Sequence, residues 1–177
     1  TTLYSMGTRV LAEHNAIVKR LPSVETLGSV SAICSDKTGT LTLNKMTAVE
    51  FSLPGQNRYK VTGEGYSTQG QLLHAGGAKI DLDAVMLPMA LCADARLDGD
   101  PSTNPGLIGD PTEGALIVLA EKGGISVEAA RQQYPRIAEV PFDSDYKFMA
   151  TFHNMTDEQG KPVVRAFVKG APDVLIA

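Results

Sequence analysis

The stretch Ser35-Asp36-Lys37-Thr38-Gly39-Thr40-Leu41-Thr42 concentrates the side chains best suited to chemistry in this 177-residue chain. Asp36 follows Ser29 to Cys34, a run of small and apolar residues that reads as a buried strand. Open α/β sheets collect their ligands at the carboxyl ends of strands, so Asp36 stands where such a sheet presents a functional group. Lys37 adds positive charge beside it. Thr38, Thr40 and Thr42 supply hydroxyls, and Gly39 lets the backbone approach an anion closely. A carboxylate among phosphate-binding donors suits a divalent-metal ligand or a nucleophile that accepts a phosphoryl group. Spacing alone leaves both open, alongside a plain capped turn with a solvated Asp-Lys pair.

These residues need elements to hold them. Residues 1 to about 17 read as a helix ending near Asn15, with Leu3, Met6, Val10 and Leu11 near helical spacing. A loop through Leu21-Pro22-Ser23 leads to a short helical turn over Ser23 to Leu27, and then to the strand before Asp36. Beyond the turn the chain reads as extended from Met46 to Phe51, as strand from Tyr59 to Thr62, and as loop from Gly63 to Gly77. Leu82 to Ala93 reads as a helix with Val85, Met86, Met89, Ala90 and Ala93 inward and Asp81 or Asp83 as its cap. Leu97 to Gly109 is a polar loop. Asp110 then caps a second helix, with Pro111 in its first turn and Glu113 placed to complete a capping box. Ala115, Leu116 and Leu119 face inward, and Gly123-Gly124 ends it. Ser126 caps a shorter helix that stops before Pro135. Arg136 to Phe142, Phe148 to Asn154 and Val163 to Lys169 read as strands, the last two joined by a hairpin turn over Thr156 to Lys161. The sum is an α/β (α+β) chain whose second part is an antiparallel sheet flanked by helices.

Composition narrows the function classes. Hydrophobic residues at 43% and charged residues at 20% exclude wholesale disorder. Lys and Arg number 16 against 20 Asp and Glu, for a net charge of −4. No basic cluster stands out, which argues against a nucleic-acid partner. No apolar run approaches the ~18 residues needed to span a bilayer. Cys34 and Cys92 lack metal-ligand spacing and read as reduced, buried thiols. His14, His74 and His153 are scattered and read as structural or exposed. Both ends read as cut: the chain opens inside a helical pattern and closes just after Ala171-Pro172-Asp173, a helix start.

The run Asp36 to Thr42, DKTGTLT, resembles the phosphorylation signature of the P-type cation-transporting ATPases without a departure. Its flanks, from Asn15 to Met46, look like the calcium-pump-related branch and its bacterial relatives. The resemblance implies that Asp36 becomes an aspartyl phosphate, with Lys37 beside it. It also implies Mg²⁺ contacts through Asp36 and the carbonyl of Thr38, and contact of Thr40 with the phosphate. Val168-Lys169-Gly170-Ala171-Pro172-Asp173 resembles the family's KGAP motif. Gly170 and Ala171 lack bulk, so a planar ring could pack on the backbone there while Lys169 reaches phosphate or stacks. Pro141 to Met149 resembles the segment whose Phe stacks on adenine and whose Lys approaches phosphate, roles carried here to Phe142 and Lys147. Gly109 to Leu116 resembles the segment whose Glu lies near the adenine amino group, here Glu113. Cys92-Ala93-Asp94-Ala95 departs from the family pattern, with Ala93 where Asn is usual.

On this resemblance residues 1–45 begin a Rossmann-like phosphorylation domain, and residues 46–177 form most of a nucleotide-binding domain. ATP and Mg²⁺ are the implied cofactors. The partners are ATP and the remainder of the same pump: membrane helices, actuator domain and the rest of the phosphorylation domain. Dehalogenase-like phosphatases carry a second Asp two residues after the nucleophile; Thr38 at that position cannot act as a base, so an acyl phosphate on Asp36 should persist. That suits a cation pump on the cytoplasmic face of a membrane, with Ca²⁺-like transport. A strand of a parallel sheet needs neighbours, so residues 1 to about 45 should pack irregularly or pair with a second copy, as a homodimer. The chain by itself reads either as part of that ATPase or as a nucleotide-binding module without turnover.

Overall fold

The computed structural model of the chain describes residues 2–20, 22–100 and 105–176. Expectations for Thr1, Leu21, residues 101–104, Ala177 and the side chain of Leu3 lie outside the described residues. The chain divides into two compact units, Thr1–Leu43 and Asn44–Ala177.

In the first unit, helix α1 (Thr2–Glu13) ends where Asn15 turns to a φ of 61°. Arg9 and Glu13 pair one helical turn apart along it. Helix α2 (Pro22–Leu27) follows, opened by proline at a position where no backbone donor is missed. Gly7 lies against Val24, so the two helices approach where α1 has no side chain. The strand expected over Ser29 to Cys34 does not form. Ile33 is 85% exposed, and Cys34, expected to be buried, is exposed too. The reason is physical: a strand of this kind takes its hydrogen bonds and its burial from neighbouring strands, and the described residues of this unit contain none.

The described residues of the second unit form three antiparallel sheets. β1 (Glu50–Leu53), β2 (Asn57–Val61) and β3 (Leu72–Gly76) pair in that order. Strand β2 alternates strictly: Asn57, Tyr59 and Val61 are buried, whereas Arg58 and Lys60 face water. Tyr59 stacks on Phe51 across the hairpin, ring centroids 5.0 Å apart. Strand β3 lies within a segment expected to be loop, because its sequence is glycine-flanked and has no β-branched residue; pairing with β2 decides its conformation. Pairing with each other likewise decides β4 (Arg96–Asp98) and β5 (Gly106–Ile108), a short ladder that falls almost wholly within the expected polar loop.

The third sheet positions the site. β6 (Arg136–Asp143), β7 (Phe148–Thr156) and β8 (Pro162–Gly170) run antiparallel with β7 in the middle. Asp157 closes the β7–β8 hairpin by accepting from the amides of Gln159 and Lys161. Helices α3 (Asp83–Leu91), α4 (Pro111–Lys122) and α5 (Val127–Gln133) supply most of the core. Met86, Ala90, Leu91, Ile117, Ala120 and Ala130 are buried together, with Phe167 of β8 packed against them. A side chain at Gly123 would meet Met86 at 2.5 Å, so the end of α4 needs glycine there.

Two helix expectations change. Helix α3 starts after Leu82 with no side-chain cap; Asp81 instead accepts from the amide of Asp83. In α4, Leu119 is buried as expected, but Ala115 and Leu116 are only half-buried, and Gly114, Ile117, Val118 and Ala120 are buried as well. A helix packed on more than one side does not show a single apolar stripe. Helix α6 (Pro172–Leu175) begins where the sequence places a helix start.

Candidate functional site

The turn around Asp36 is built by its own residues. The Lys37 carbonyl accepts from the amide of Leu41 at 3.0 Å and from the Thr42 hydroxyl at 3.3 Å. Gly39 takes a φ of 75°, a conformation that a side chain would strain, and its amide donates to the Thr42 hydroxyl. Asp36, Lys37, Thr38 and Thr40 are all exposed. The Asp36 carboxylate has no partner among the described residues, so it is open to an incoming group.

The other candidates meet in the second unit. A cavity of about 700 Å³ is lined by Asp110, Thr112, Glu113, Leu116, Phe142, Lys147, Lys169, Gly170 and Ala171. Thus Glu113, Phe142, Lys147, Lys169 and Gly170, drawn from α4, β6, the β6–β7 turn and β8, face one space whose size suits a small-molecule ligand.

Local structure explains each placement. Strand β6 is an edge strand, and its register with β7 slips between Val140 and Asp143. Pro141 fits such an irregular edge, and the bulge re-aims Phe142, which stays 61% exposed. The β6–β7 turn is closed by Asp143, whose carboxylate accepts from the amides of Asp145 and Tyr146. That turn leaves Lys147 at a φ of 57°, an uncommon conformation for a residue with a side chain. The Lys147 carbonyl accepts from the amide of Ala171 at 2.9 Å, tying the turn to the end of β8. A side chain at Gly170 would lie 2.5 Å from that carbonyl and 2.7 Å from Phe148 Cβ, so only glycine fits.

A family model described as P-type ATPase, cytoplasmic domain N, matches residues 81–177. The chain belongs to the P-type ATPase family. It is 39% identical to the cation-transporting ATPase pma1 of Synechocystis over 188 residues, covering 99% of this chain and 20% of that protein. It is 43% identical to calcium-transporting ATPase 1 of Lactococcus lactis over 175 residues, covering 99% of this chain and 17% of that one. It is 38% identical to calcium-transporting ATPase type 2C member 1 of Bos taurus, covering 99% of this chain and 18% of that one. The chain therefore spans about a fifth of the length of these relatives. Among the described residues no helix is long and apolar enough to cross a membrane.

In this P-type ATPase chain Glu113 does not close a capping box. Asp110 alone caps α4, accepting from the amides of Thr112 and Glu113. One oxygen of Glu113 accepts from the amides of Asp94 at 2.8 Å and Ala95 at 2.9 Å, and the other pairs with the Lys169 ammonium. Its reach is spent across the core boundary rather than back along its own helix. Lys147 pairs with Asp173 at 3.0 Å.

Two residues outside the P-type signatures hold this arrangement. Arg131 donates to the carbonyls of Ala90, Ala93 and Ala95 at 3.1, 2.7 and 3.0 Å, fixing the turn after α3. Burial is the first cause that holds its pKa below the ordinary range, with the Arg136 charge adding to it. Arg136 pairs with Asp94 and Glu139; burial opposes its charge, but those carboxylates outweigh it and hold its pKa above the ordinary range. The amides that Glu113 accepts from belong to the turn these arginines hold. A lone arginine in a short helix gives no pattern to read, so Arg131 is invisible without the tertiary structure. Cys92 lies beneath β7 and β8, 3.3 Å from the Phe167 carbonyl, and burial pushes its thiol pKa up.

The Mg²⁺ that the resemblance implies does not find a complete site here. Among the described residues no group of three or more His, Cys, Asp or Glu side chains is placed to hold a metal. Asp36 and the Thr38 carbonyl would offer two oxygens, whereas Mg²⁺ favours six in octahedral array.

Proposed function

We propose that this chain is the ATP-binding part of an ATP-driven cation pump, joined to the start of its phosphorylation domain. In this reading the whole protein moves a cation, of the Ca²⁺-like class, across a membrane. The observation that carries it is the convergence of Glu113, Phe142, Lys147, Lys169 and Gly170 on one cavity. Phe142 offers an exposed aromatic face to adenine, worth about 1–3 kcal/mol when a base stacks on it. Gly170 and Ala171 line the cavity at the end of β8, and Lys147 is placed to meet the phosphates.

Phosphoryl transfer then follows from Asp36. A carboxylate oxygen attacks the γ-phosphorus in line with the β,γ-bridging oxygen. The new O–P bond forms as the old one breaks, and ADP leaves with the bridging electron pair. Thr38 provides no base, so the acyl phosphate on Asp36 outlasts the transfer. Asp36 and the Thr38 carbonyl would hold Mg²⁺ only in part, since it favours six oxygens.

For the chain alone, binding without turnover is the second reading. Asp36 and the cavity belong to different compact units, and the chain spans about a fifth of its relatives. Incubation with labelled ATP separates the two. Acid-stable, hydroxylamine-labile label that disappears in Asp36→Asn establishes transfer within this chain; saturable ATP binding without label establishes the module. Absence of ATP binding overturns both.

A further inference from the structure

The cavity's charges are not arranged like those of a simple polyanion site. Lys169 is locked: its ammonium pairs with Glu113, and these side chains are 22% and 12% exposed. Asp110 is committed to the α4 cap. Among the described residues Lys147 is therefore the lining cation that can turn to a phosphate, and it is held by Asp173, in the first turn of α6. Both members of that pair are more than half exposed, so the contact opens at little cost. Once displaced, the Asp173 carboxylate remains tethered to the same turn, because the Ala171 amide is bonded to the Lys147 carbonyl. A phosphate chain that takes Lys147 must then lie close to a like charge.

We infer that Asp173 is a specificity-determining residue of this cavity: it competes with phosphate for Lys147 and lowers affinity in proportion to the ligand's negative charge. The inference rests on the nucleotide reading above and adds to it the residue that grades nucleotides by phosphate number. Uncharged adenosine should bind without regard to it, whereas ATP, which carries the most charge, should feel it most.

The test titrates adenosine, ADP and ATP into the chain and into Asp173→Asn and Asp173→Glu, at low salt and at about 0.5 M salt, where charges beyond a few Å are screened. In Asp173→Asn at low salt ATP should bind about three- to tenfold more tightly, ADP less so, and adenosine unchanged. The gain should shrink at high salt, and Asp173→Glu, which keeps the charge, should behave as the parent. Equal tightening of adenosine and ATP would mean that the cavity merely opened, and it overturns the inference. So does unchanged ATP affinity in a chain that still binds ATP. A chain that binds neither ATP nor adenosine defeats the nucleotide reading and takes the inference with it.

Discussion

Glu113 and Lys169 lie 56 positions apart in the chain, one in the first turn of α4 and one near the end of β8, yet their side chains form an ion pair on the wall of the cavity. The same carboxylate takes two backbone amides from the turn after α3, so a single side chain joins three segments.

Removing it should therefore cost more than a surface ion pair. Glu113→Ala leaves the amides of Asp94 and Ala95 without their acceptor and Lys169 without its counter-charge. The expected loss is about 2–3 kcal/mol in urea-induced unfolding. A loss under about 0.5 kcal/mol would show that the pair is incidental.

Phe142 should behave in the opposite way. It is exposed on a bulged edge strand, so Phe142→Ala should leave the unfolding midpoint nearly unchanged. ATP affinity should fall by about fivefold or more, the lower range for loss of one base–aromatic stack. Calorimetric titration together with thermal melting reads both quantities on one sample.

Gly170→Ala tests the closeness of the β6–β7 turn to β8. The added methyl meets the Lys147 carbonyl and Phe148, so the turn must move, at about 1–3 kcal/mol. Because Lys147 sits on that turn, ATP binding should weaken together with stability. Retained affinity with lost stability would separate the turn from the site.

The two thiols should differ sharply. Cys34 is exposed and should react with a disulfide reagent at once, whereas Cys92 should react only as the protein unfolds. The raised pKa of Cys92 also has a sign: the folded state keeps its proton where the unfolded chain has lost it. The stability contributed is full below about pH 8.5 and declines as pH rises through and above that value, until the folded thiol itself ionises. Cys92→Ala should flatten that decline in urea unfolding measured between pH 8 and pH 10.

Much of the second unit could be read in the residues themselves. Asp110-Pro111 announces the start of α4, Ser126 the start of α5, and Asp157-Glu158-Gln159-Gly160 the β7–β8 hairpin, because caps and turns are local chemistry. Strands β3, β4 and β5 were not legible, since glycine-rich and polar segments become strands only when a partner supplies the ladder. The run Ser29 to Cys34 fails in the other direction: its pattern is that of a buried strand, but among the described residues of its unit no neighbouring strand completes it.

The candidate site divides along the same line. The sequence picked out Asp36 by the residue types around it, and Phe142, Lys147, Lys169, Gly170 and Glu113 by the resemblance of their short contiguous motifs to those of the P-type family. Tertiary structure alone decided which of them share a cavity, that Glu113 holds Lys169 instead of capping its helix, and that Asp173 holds Lys147. The reason is that an ion pair or a cavity wall depends on distance in space, and segments far apart in the chain meet only when the core between them has packed.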